Sequence, residues 1–195
     1  IGAEITVKAL ADAAVYKKAV PVVYGDRVPL EDALSFCRLG HLRLKELHSW
    51  EEAEGQYGTV EFFDAGLLKA GSWAYKKNQA ESGGASFQYV VSAIRDAMEG
   101  RCNAVVTGPI SKEAIHMAGH HYSGHTEIFA AYTRTDKYAM LLSGGGLRVI
   151  HATTHVSMEE ACRRITKERE LDVIRLAHRG MQLLGCSKPR IAVAG

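Results

Sequence analysis

Residues 85–118, ASFQYVVSAIRDAMEGRCNAVVTGPISKEAIHMA, decide the fold class of this chain. Apolar side chains recur at helical spacing over residues 87–98, and a glycine then ends the predicted helix. The β-branched run at residues 104–107 predicts a buried parallel strand, closed by a Gly-Pro pair. Ser111 can then cap a helix over residues 112–118. This order of helix, strand and helix is typical of an α/β fold.

The same alternation continues outward on both sides of this stretch. Before it, the patterns predict a helix, a strand, a helix, a strand and a polar surface connection at residues 3–17, 20–24, 29–37, 59–63 and 71–84. After it, they predict a helix, two strands around a glycine turn, a long helical region and a last strand at residues 124–134, 138–142, 147–152, 157–184 and 190–194. Residues 38–58 show no clear period. We therefore expect a largely parallel or mixed sheet with one antiparallel hairpin.

The composition is that of a globular protein and excludes several classes of partner. Among 195 residues, 47% are hydrophobic and 24% charged, and the formal net charge is only +2. Such a charge provides no basic field for nucleic acid or an anionic membrane. No run approaches the 18 apolar residues of a membrane span. Four well-separated cysteines without a CxxC pair indicate reduced thiols in a cytoplasmic protein.

The two ends of the chain fall inside expected elements. The sequence starts at Ile1, in a predicted helix, and stops at Gly195, just after an apolar run. We therefore expect a chain truncated at both ends. Residues 1–120 would form part of a first α/β lobe, and residues 121–195 would begin a second lobe.

Two short motifs carry the candidate chemistry, Gly-His-Thr-Glu at residues 124–127 and Thr-Thr-His at residues 153–155. Each lies near the end of a predicted strand or the start of a predicted helix, where α/β proteins bind ligands. His125 and Thr126 could donate hydrogen bonds to a substrate hydroxyl or carboxylate. Equally, the first motif could be a polar N-terminal cap of a helix. His155 could bind a metal, but one histidine is not a metal site.

The remaining polar clusters favour structural interpretations. Lys112 follows a strand–helix corner that could hold an anion, although such corners are common in α/β folds. Residues 144–146, Gly-Gly-Gly, lack the spacing of a phosphate loop and favour a turn. His151 and the histidines at residues 116–121 are interpreted, one by one, as surface groups. No nucleophile elbow supports covalent hydrolysis.

The motifs together resemble the 4-hydroxythreonine-4-phosphate dehydrogenase family of pyridoxal phosphate biosynthesis. The resemblance covers the whole chain and is carried, in order and spacing, by residues 104–114 (AVVTGPISKEA), 123–127 (SGHTE), 144–149 (GGGLRV) and 152–155 (ATTH). It implies an isocitrate/isopropylmalate-dehydrogenase-like fold, with a mixed, mostly parallel sheet and flanking helices, in a homodimer. It also implies NAD or NADP and a divalent metal, which could be zinc, cobalt, manganese or magnesium.

The resemblance also implies roles for three residues of this chain. His125 and Thr126 match substrate-binding residues, and His155 matches one of three histidine metal ligands. The other two histidines, and most of the cofactor and phosphate sites, would lie beyond Gly195. The implied reaction is oxidation of the secondary alcohol of 4-hydroxythreonine 4-phosphate, a phosphorylated small molecule, followed by decarboxylation.

Departures from the family pattern leave the substrate open. Ser111 stands where the family usually has asparagine, Gly108 where it often has alanine, and His120 and His121 replace smaller residues. One alternative is a related dehydrogenase of 4-phospho-D-threonate or 4-phospho-D-erythronate. Alternatives of another class are an inactive fragment, a non-enzymatic binding module, or an acyl-phosphate transferase that uses coenzyme A.

Overall fold

The computed structural model describes residues 1–194 and divides the chain into two compact units, Ile1–Ile128 and Phe129–Gly195. The helices are α1 (Gly2–Leu10), α2 (Ala13–Tyr16), α3 (Arg27–Phe36), α4 (Ala80–Met98), α5 (Lys112–Met117), α6 (His125–Tyr132), α7 (Met158–Arg164) and α8 (Lys167–Leu183). The strands are β1 (Val22–Gly25), β2 (Arg43–Glu46), β3 (Thr59–Asp64), β4 (Leu141–Gly144) and β5 (Leu147–Ile150). The chain is therefore a mixed α/β protein, as its alternating patterns predict.

The first unit is built around a three-stranded parallel sheet with β3 in the centre. β1 and β2 flank it, with Val22 opposite Glu61 and Leu44 opposite Val60. Three consecutive residues of β3, Val60, Glu61 and Phe62, are buried because both faces of the strand are covered, as is usual in parallel sheets. Its side chains meet those of α1 and α3 in a core of buried residues: Val7, Leu10, Leu30, Ala33, Leu34, Leu42, Val60 and Phe62.

A buried carboxylate interrupts the apolar surface of β3. Glu61 is only 1% exposed, and it accepts hydrogen bonds from the backbone N–H groups of Glu54 and Gly55 and from Lys45 Nζ. Burial by itself raises the pKa of Glu61, but the two backbone donors and Lys45 outweigh it and hold the pKa below its ordinary value. The carboxylate thereby anchors the connection between β2 and β3.

A second buried carboxylate joins three elements at the carboxyl end of β1. Asp26 is 2% exposed and accepts hydrogen bonds from the backbone of Leu67 at 2.9 Å, the backbone of Leu68 at 2.8 Å and Tyr89 Oη at 2.5 Å. Burial and the hydrogen bond to Asp26 raise the pKa of Tyr89 far above its ordinary value, so its hydroxyl stays a donor. The connection after β3 is thus fixed to α4.

α4 begins earlier than expected and includes two glycines of the predicted surface connection at residues 71–84. The helix starts at Ala80, and Gly83 is buried against α5. The expectation of a polar surface segment is therefore wrong for residues 80–84. Glycine there marks a close approach of two helices, which local polarity does not reveal.

The second unit contains an antiparallel hairpin and two capped helices. β4 pairs with β5, with Leu141 opposite Ile150, and the turn uses Gly145 and Gly146 at φ +55° and +84°. Two consecutive residues with positive φ are typical of hairpin turns and favour glycine. The hairpin and the turn expected at residues 144–146 are confirmed, but the two strands form a sheet of their own and the expectation of an antiparallel pair within the parallel sheet is wrong for the described residues.

Two predicted strands do not form in the described residues. Residues 104–107 and 190–194 have no strand partner within residues 1–194, and Val106 is 95% exposed. The expectation that residues 104–107 form a buried parallel strand is therefore wrong. Local composition favours extended backbone, but a strand also needs a neighbour for its N–H and C=O groups. No helix in residues 1–194 is both long and apolar enough to cross a membrane.

Candidate functional site

The segment that leads to the Gly-His-Thr-Glu motif is held by α4 and by a capped helix. Ser111 Oγ accepts a hydrogen bond from the backbone N–H of Ala114 at 3.2 Å, as the sequence predicts for the start of α5. The same hydroxyl donates to Asn78 Oδ1 at 2.8 Å, and Asn78 Nδ2 donates to Glu113 Oε2. Ser111 therefore both caps α5 and contacts a side-chain amide.

His125 begins α6 and has the most unusual polar environment among the candidate residues. Its Nε2 atom is buried and has no hydrogen-bond partner in the structure. Burial also lowers the pKa of the imidazole, so His125 is neutral at neutral pH. A buried polar atom without a partner costs free energy unless a ligand or water satisfies it. The nitrogen therefore has an unused hydrogen-bonding capacity inside the fold.

The neighbours of His125 complete the first turn of α6. Thr126 is half-buried, and Glu127 lies in the first turn, where a carboxylate interacts favourably with the helix dipole. A β-carbon built on Gly124 would lie 3.5 Å from Glu127 Oε2, so this carboxylate folds back over the start of the helix. The alternative of a polar N-terminal turn and the alternative of a substrate site are both compatible with this arrangement.

His155 lies in the second unit, in the connection between β5 and α7. Its side chain is exposed, and its backbone has φ +57°, a left-handed conformation that is uncommon for residues other than glycine. Ser157, two residues after His155, accepts a hydrogen bond from the backbone N–H of Glu160 and caps α7, which begins at Met158. The turn between strand and helix therefore presents His155 at its tip.

His151, four residues earlier, is a polar group whose environment the sequence does not reveal. Its backbone N–H extends the hairpin by donating to Met140 O at 3.1 Å, while its Nδ1 atom is buried and has no hydrogen-bond partner. We interpret the sequence position as a surface histidine, and the buried nitrogen contradicts this. The strand periodicity could have indicated the burial, because alternate residues face opposite sides.

The three other histidines near the first motif have contacts that explain them structurally. His120 stacks on Phe87, with ring centroids 3.7 Å apart and an interplanar angle of 13°. His116 Nε2 donates to Tyr122 O at 3.1 Å, and the His116 and His121 rings lie 5.4 Å apart. These residues pack the connection between α5 and α6 against α4.

A divalent metal requires at least three protein ligands in most histidine sites. Within the part of the chain that the structure describes, no group of three histidine, cysteine, aspartate or glutamate residues is arranged to hold one. His155 can supply one exposed imidazole. Residues 1–194 alone therefore do not form a complete metal centre.

Comparison with known proteins assigns this arrangement to a family. The architecture is that of an α/β protein with a parallel sheet and flanking helices. Residues 17–195 match the family model described as pyridoxal phosphate biosynthetic protein PdxA, and the chain belongs to this family. The resemblance stated from the motifs is confirmed.

Named relatives and solved structures agree with this assignment. A protein from Oceanobacillus iheyensis with the provisional name D-threonate 4-phosphate dehydrogenase is 37% identical over 195 residues, which are 100% of this chain and 58% of the relative. The crystal structure of 4-hydroxythreonine-4-phosphate dehydrogenase from Klebsiella pneumoniae superimposes with a TM-score of 0.87 at 36% identity, covering 99% of this chain and 59% of that one. A protein from Salmonella typhimurium, provisionally given the same name, has a TM-score of 0.88 at 33% identity and coverages of 99% and 60%. The chain thus spans little more than half the length of these relatives.

Proposed function

We propose that the protein carrying this chain is an NAD- or NADP-dependent dehydrogenase of a four-carbon hydroxy acid phosphorylated at its fourth carbon. The observation that carries the proposal is the buried, unpartnered Nε2 of His125, in a chain that aligns over its whole length with relatives named as such dehydrogenases. The nicotinamide accepts the hydride, which is the chemistry of the cofactor itself.

His125 and Thr126 are proposed to bind the substrate. A neutral imidazole can donate or accept one hydrogen bond at Nε2 without placing a buried charge beside the substrate. The Thr126 hydroxyl, one residue further in the first turn of α6, adds a second short polar group. Together they would orient the alcohol of the substrate before hydride transfer, which is the role that fixed donors play in such reactions.

His155 is proposed to be one ligand of a divalent metal. An exposed imidazole on a left-handed turn is a side chain presented outward by the backbone, which supports this role. A bound metal would lower the pKa of the substrate hydroxyl and stabilise negative charge on its oxygen. Two further ligands are proposed to come from parts of the protein outside residues 1–194. Zinc, cobalt, manganese and magnesium all remain candidates.

Several broader properties are proposed on the strength of the family alone. They are loss of carbon dioxide from the β-keto acid product, a homodimer, an isocitrate/isopropylmalate-dehydrogenase-like fold, two lobes divided near residue 120 and a cytoplasmic location. The first is ordinary chemistry for a β-keto acid, because the electron pair of the breaking bond is stabilised as an enolate.

D-threonate 4-phosphate is the favoured substrate, because several of the relatives that align with the whole chain carry that name. 4-Hydroxythreonine 4-phosphate is the second candidate, since solved structures with TM-scores of 0.84 and 0.87 carry that name. The two acids differ at the second carbon, which bears a hydroxyl in the first and an ammonium in the second. D-erythronate 4-phosphate differs from the first only in configuration.

Steady-state reduction of NAD and NADP by the full-length protein, with each of the three acids, tests the proposal. Each reaction is run with and without a chelator, and release of labelled carbon dioxide is followed in parallel. We expect the highest kcat/KM with D-threonate 4-phosphate and loss of turnover on chelation. If no acid is oxidised, the chain belongs to a binding module or an inactive protein. Release of free coenzyme A thiol from an acyl donor would instead indicate a transferase.

A further inference from the structure

Arg169, in the first turn of α8, contacts the hairpin of the second unit. Arg169 Nε donates to the carbonyl oxygen of Ala152 at 2.8 Å, and Arg169 Nη1 donates to the carbonyl oxygen of Tyr138 at 3.1 Å. Ala152 follows β5 and Tyr138 precedes β4, so one guanidinium binds the backbone on both sides of the open end of the hairpin.

These two carbonyls lie at the point where the hairpin ladder ends. The last backbone bond of the ladder runs from His151 N to Met140 O at 3.1 Å. Beyond it the two chains separate, and each needs new donors for its carbonyl groups. A guanidinium presents several N–H groups in a fixed fork and can bind two acceptors at once. Arg169 therefore replaces the cross-strand bonds at this end.

Arg169 lies in the first turn of α8, where a positive charge is not expected. A cation in the first turn of a helix interacts unfavourably with the helix dipole. Thr166 already caps α8 by accepting a hydrogen bond from the backbone N–H of Arg169. Val173 and Ala177, one and two turns further along the same face, are buried. The side chain of Arg169 thus extends from the packed face of α8 toward the hairpin.

We propose that Arg169 is a positioning residue that fixes the Thr153–His155 segment. The Ala152 carbonyl is the last backbone anchor before this segment, three residues ahead of His155. His155 has φ +57°, and such a backbone conformation persists only where its surroundings hold it. The inference rests on the proposed role of His155 as a metal ligand.

The test compares Arg169→Ala and Arg169→Lys in the full-length protein with a matched control. The control is Asp172→Asn. Asp172, also on α8, accepts a hydrogen bond from Lys137 at 2.9 Å, so it links the helix to the residue before Tyr138 without contacting Ala152. The first measurement is the backbone ¹⁵N NMR order parameters of residues 153–156 without metal, since the backbone amides of this segment donate no hydrogen bond within residues 1–194 that would protect them from exchange. The second is the affinity for Co²⁺, followed through its visible absorption, together with kcat and KM.

We expect lower order parameters in Arg169→Ala, and Co²⁺ affinity lower by roughly 10- to 100-fold, as for other groups that orient metal ligands. Arg169→Lys, which keeps one donor atom, lies between this variant and the wild type, and Asp172→Asn behaves like the wild type. Unchanged order parameters in Arg169→Ala overturn the inference, as do lower order parameters with unchanged Co²⁺ affinity. Equal loss in Asp172→Asn also overturns it, because any weakened contact of α8 would then suffice.

Failure of the proposed function gives a different result. If the wild-type protein binds no Co²⁺ and oxidises no phosphorylated acid, the metal role of His155 is wrong. The order parameters then still decide whether Arg169 orders residues 153–156. The Arg169→Lys variant guards against a variant that does not fold, because it preserves the charge and the length of the side chain.

Discussion

Gly83 of α4 lies directly against the backbone of Ala114 in α5. A β-carbon built on Gly83 would be 2.0 Å from the Ala114 carbonyl oxygen and 2.7 Å from the amide nitrogen of Ile115. The neighbouring atoms belong to the backbone, so no side-chain rotation can relieve the overlap. The absence of a side chain at residue 83 therefore sets how closely α5, and the motif that follows it, approaches α4.

The change Gly83→Ala is expected to destabilise the protein by at least about 1–3 kcal/mol, the usual cost of forcing an extra methyl group into a packed site. Gly84→Ala is the matched control, since its β-carbon would meet only the Ala118 β-carbon at 3.5 Å. There alanine should be neutral or stabilise the helix by up to about 1 kcal/mol. Urea unfolding of both variants measures the difference, and equal stabilities would contradict the close approach.

Removal of the Tyr89 hydroxyl tests the buried anchor at Asp26. Tyr89→Phe keeps the ring but removes a donor to a carboxylate that is 2% exposed, and the expected loss is about 1.5–3 kcal/mol of unfolding free energy. Tyr138→Phe is a control at a tyrosine that is 36% exposed. A loss no larger than that of the control would show that the two backbone donors satisfy Asp26 by themselves.

The sequence predicts an element correctly where the pattern of its own residues determines it. The prediction fails where the element depends on contacts with another part of the chain. Regular apolar spacing locates the body of α4, and the glycines locate the hairpin turn. β2 is absent from the expected elements, although the alternation of leucine and charged residues over 42–45 is a strand signal. Residues 104–107 show the opposite error, because their composition predicts a strand that has no partner in the described residues.

In the candidate site, too, local motifs can be recognised from the sequence, whereas contacts between distant residues cannot. His125, Thr126 and His155 are candidates because short polar motifs can be recognised directly in a sequence. The buried nitrogen of His151 depends on tertiary packing, and the two carbonyls bound by Arg169 lie 17 and 31 positions away from it along the chain. Arg169 appears in the sequence as one of many charged residues on a helix, so its role could not be predicted.

The stability of the protein should depend on pH through His125. Burial holds the pKa of this imidazole below its ordinary value of 6.5, so the unfolded chain binds more protons than the folded one in mild acid. The unfolding free energy should therefore fall as the pH drops below about 6.5. His125→Gln should flatten this decline, as measured by urea unfolding between pH 8 and pH 5, which are about the limits of histidine titration.

At lower pH, the change in unfolding free energy depends on Glu61, and this part of the pH profile serves as the internal control for that experiment. The pKa of Glu61 is held below its ordinary value of 4.5, so the stability it contributes is present above that pH and is lost as the pH falls through the lowered pKa. His125→Gln should leave this region unchanged. If the mutation left the decline below pH 6.5 intact, another group would be responsible for it.

The substrate role of His125 is tested by kinetics with the full-length protein. His125→Ala removes a hydrogen bond that the buried Nε2 would make to a charged or polarised oxygen, so kcat/KM should fall by about 10- to 100-fold. His120→Ala is the control, since His120 stacks on Phe87 and has no proposed contact with substrate. Equal kinetic effects of the two changes, at equal stability, would assign His125 a packing role.

The proposed role of His155 as a metal ligand gives the sharpest test of the proposed function, because it links the metal content of the protein to its activity. His155→Ala in the full-length protein should lower the bound metal, measured by elemental analysis, and turnover in parallel, since a lost ligand weakens binding and the reaction depends on the metal. His178→Ala is the matched control, an exposed histidine on α8. The replacement at residue 155 removes an exposed imidazole, so the unfolding midpoint of the metal-free protein should change little. A variant that retains both metal and turnover would show that this turn presents His155 for some other purpose.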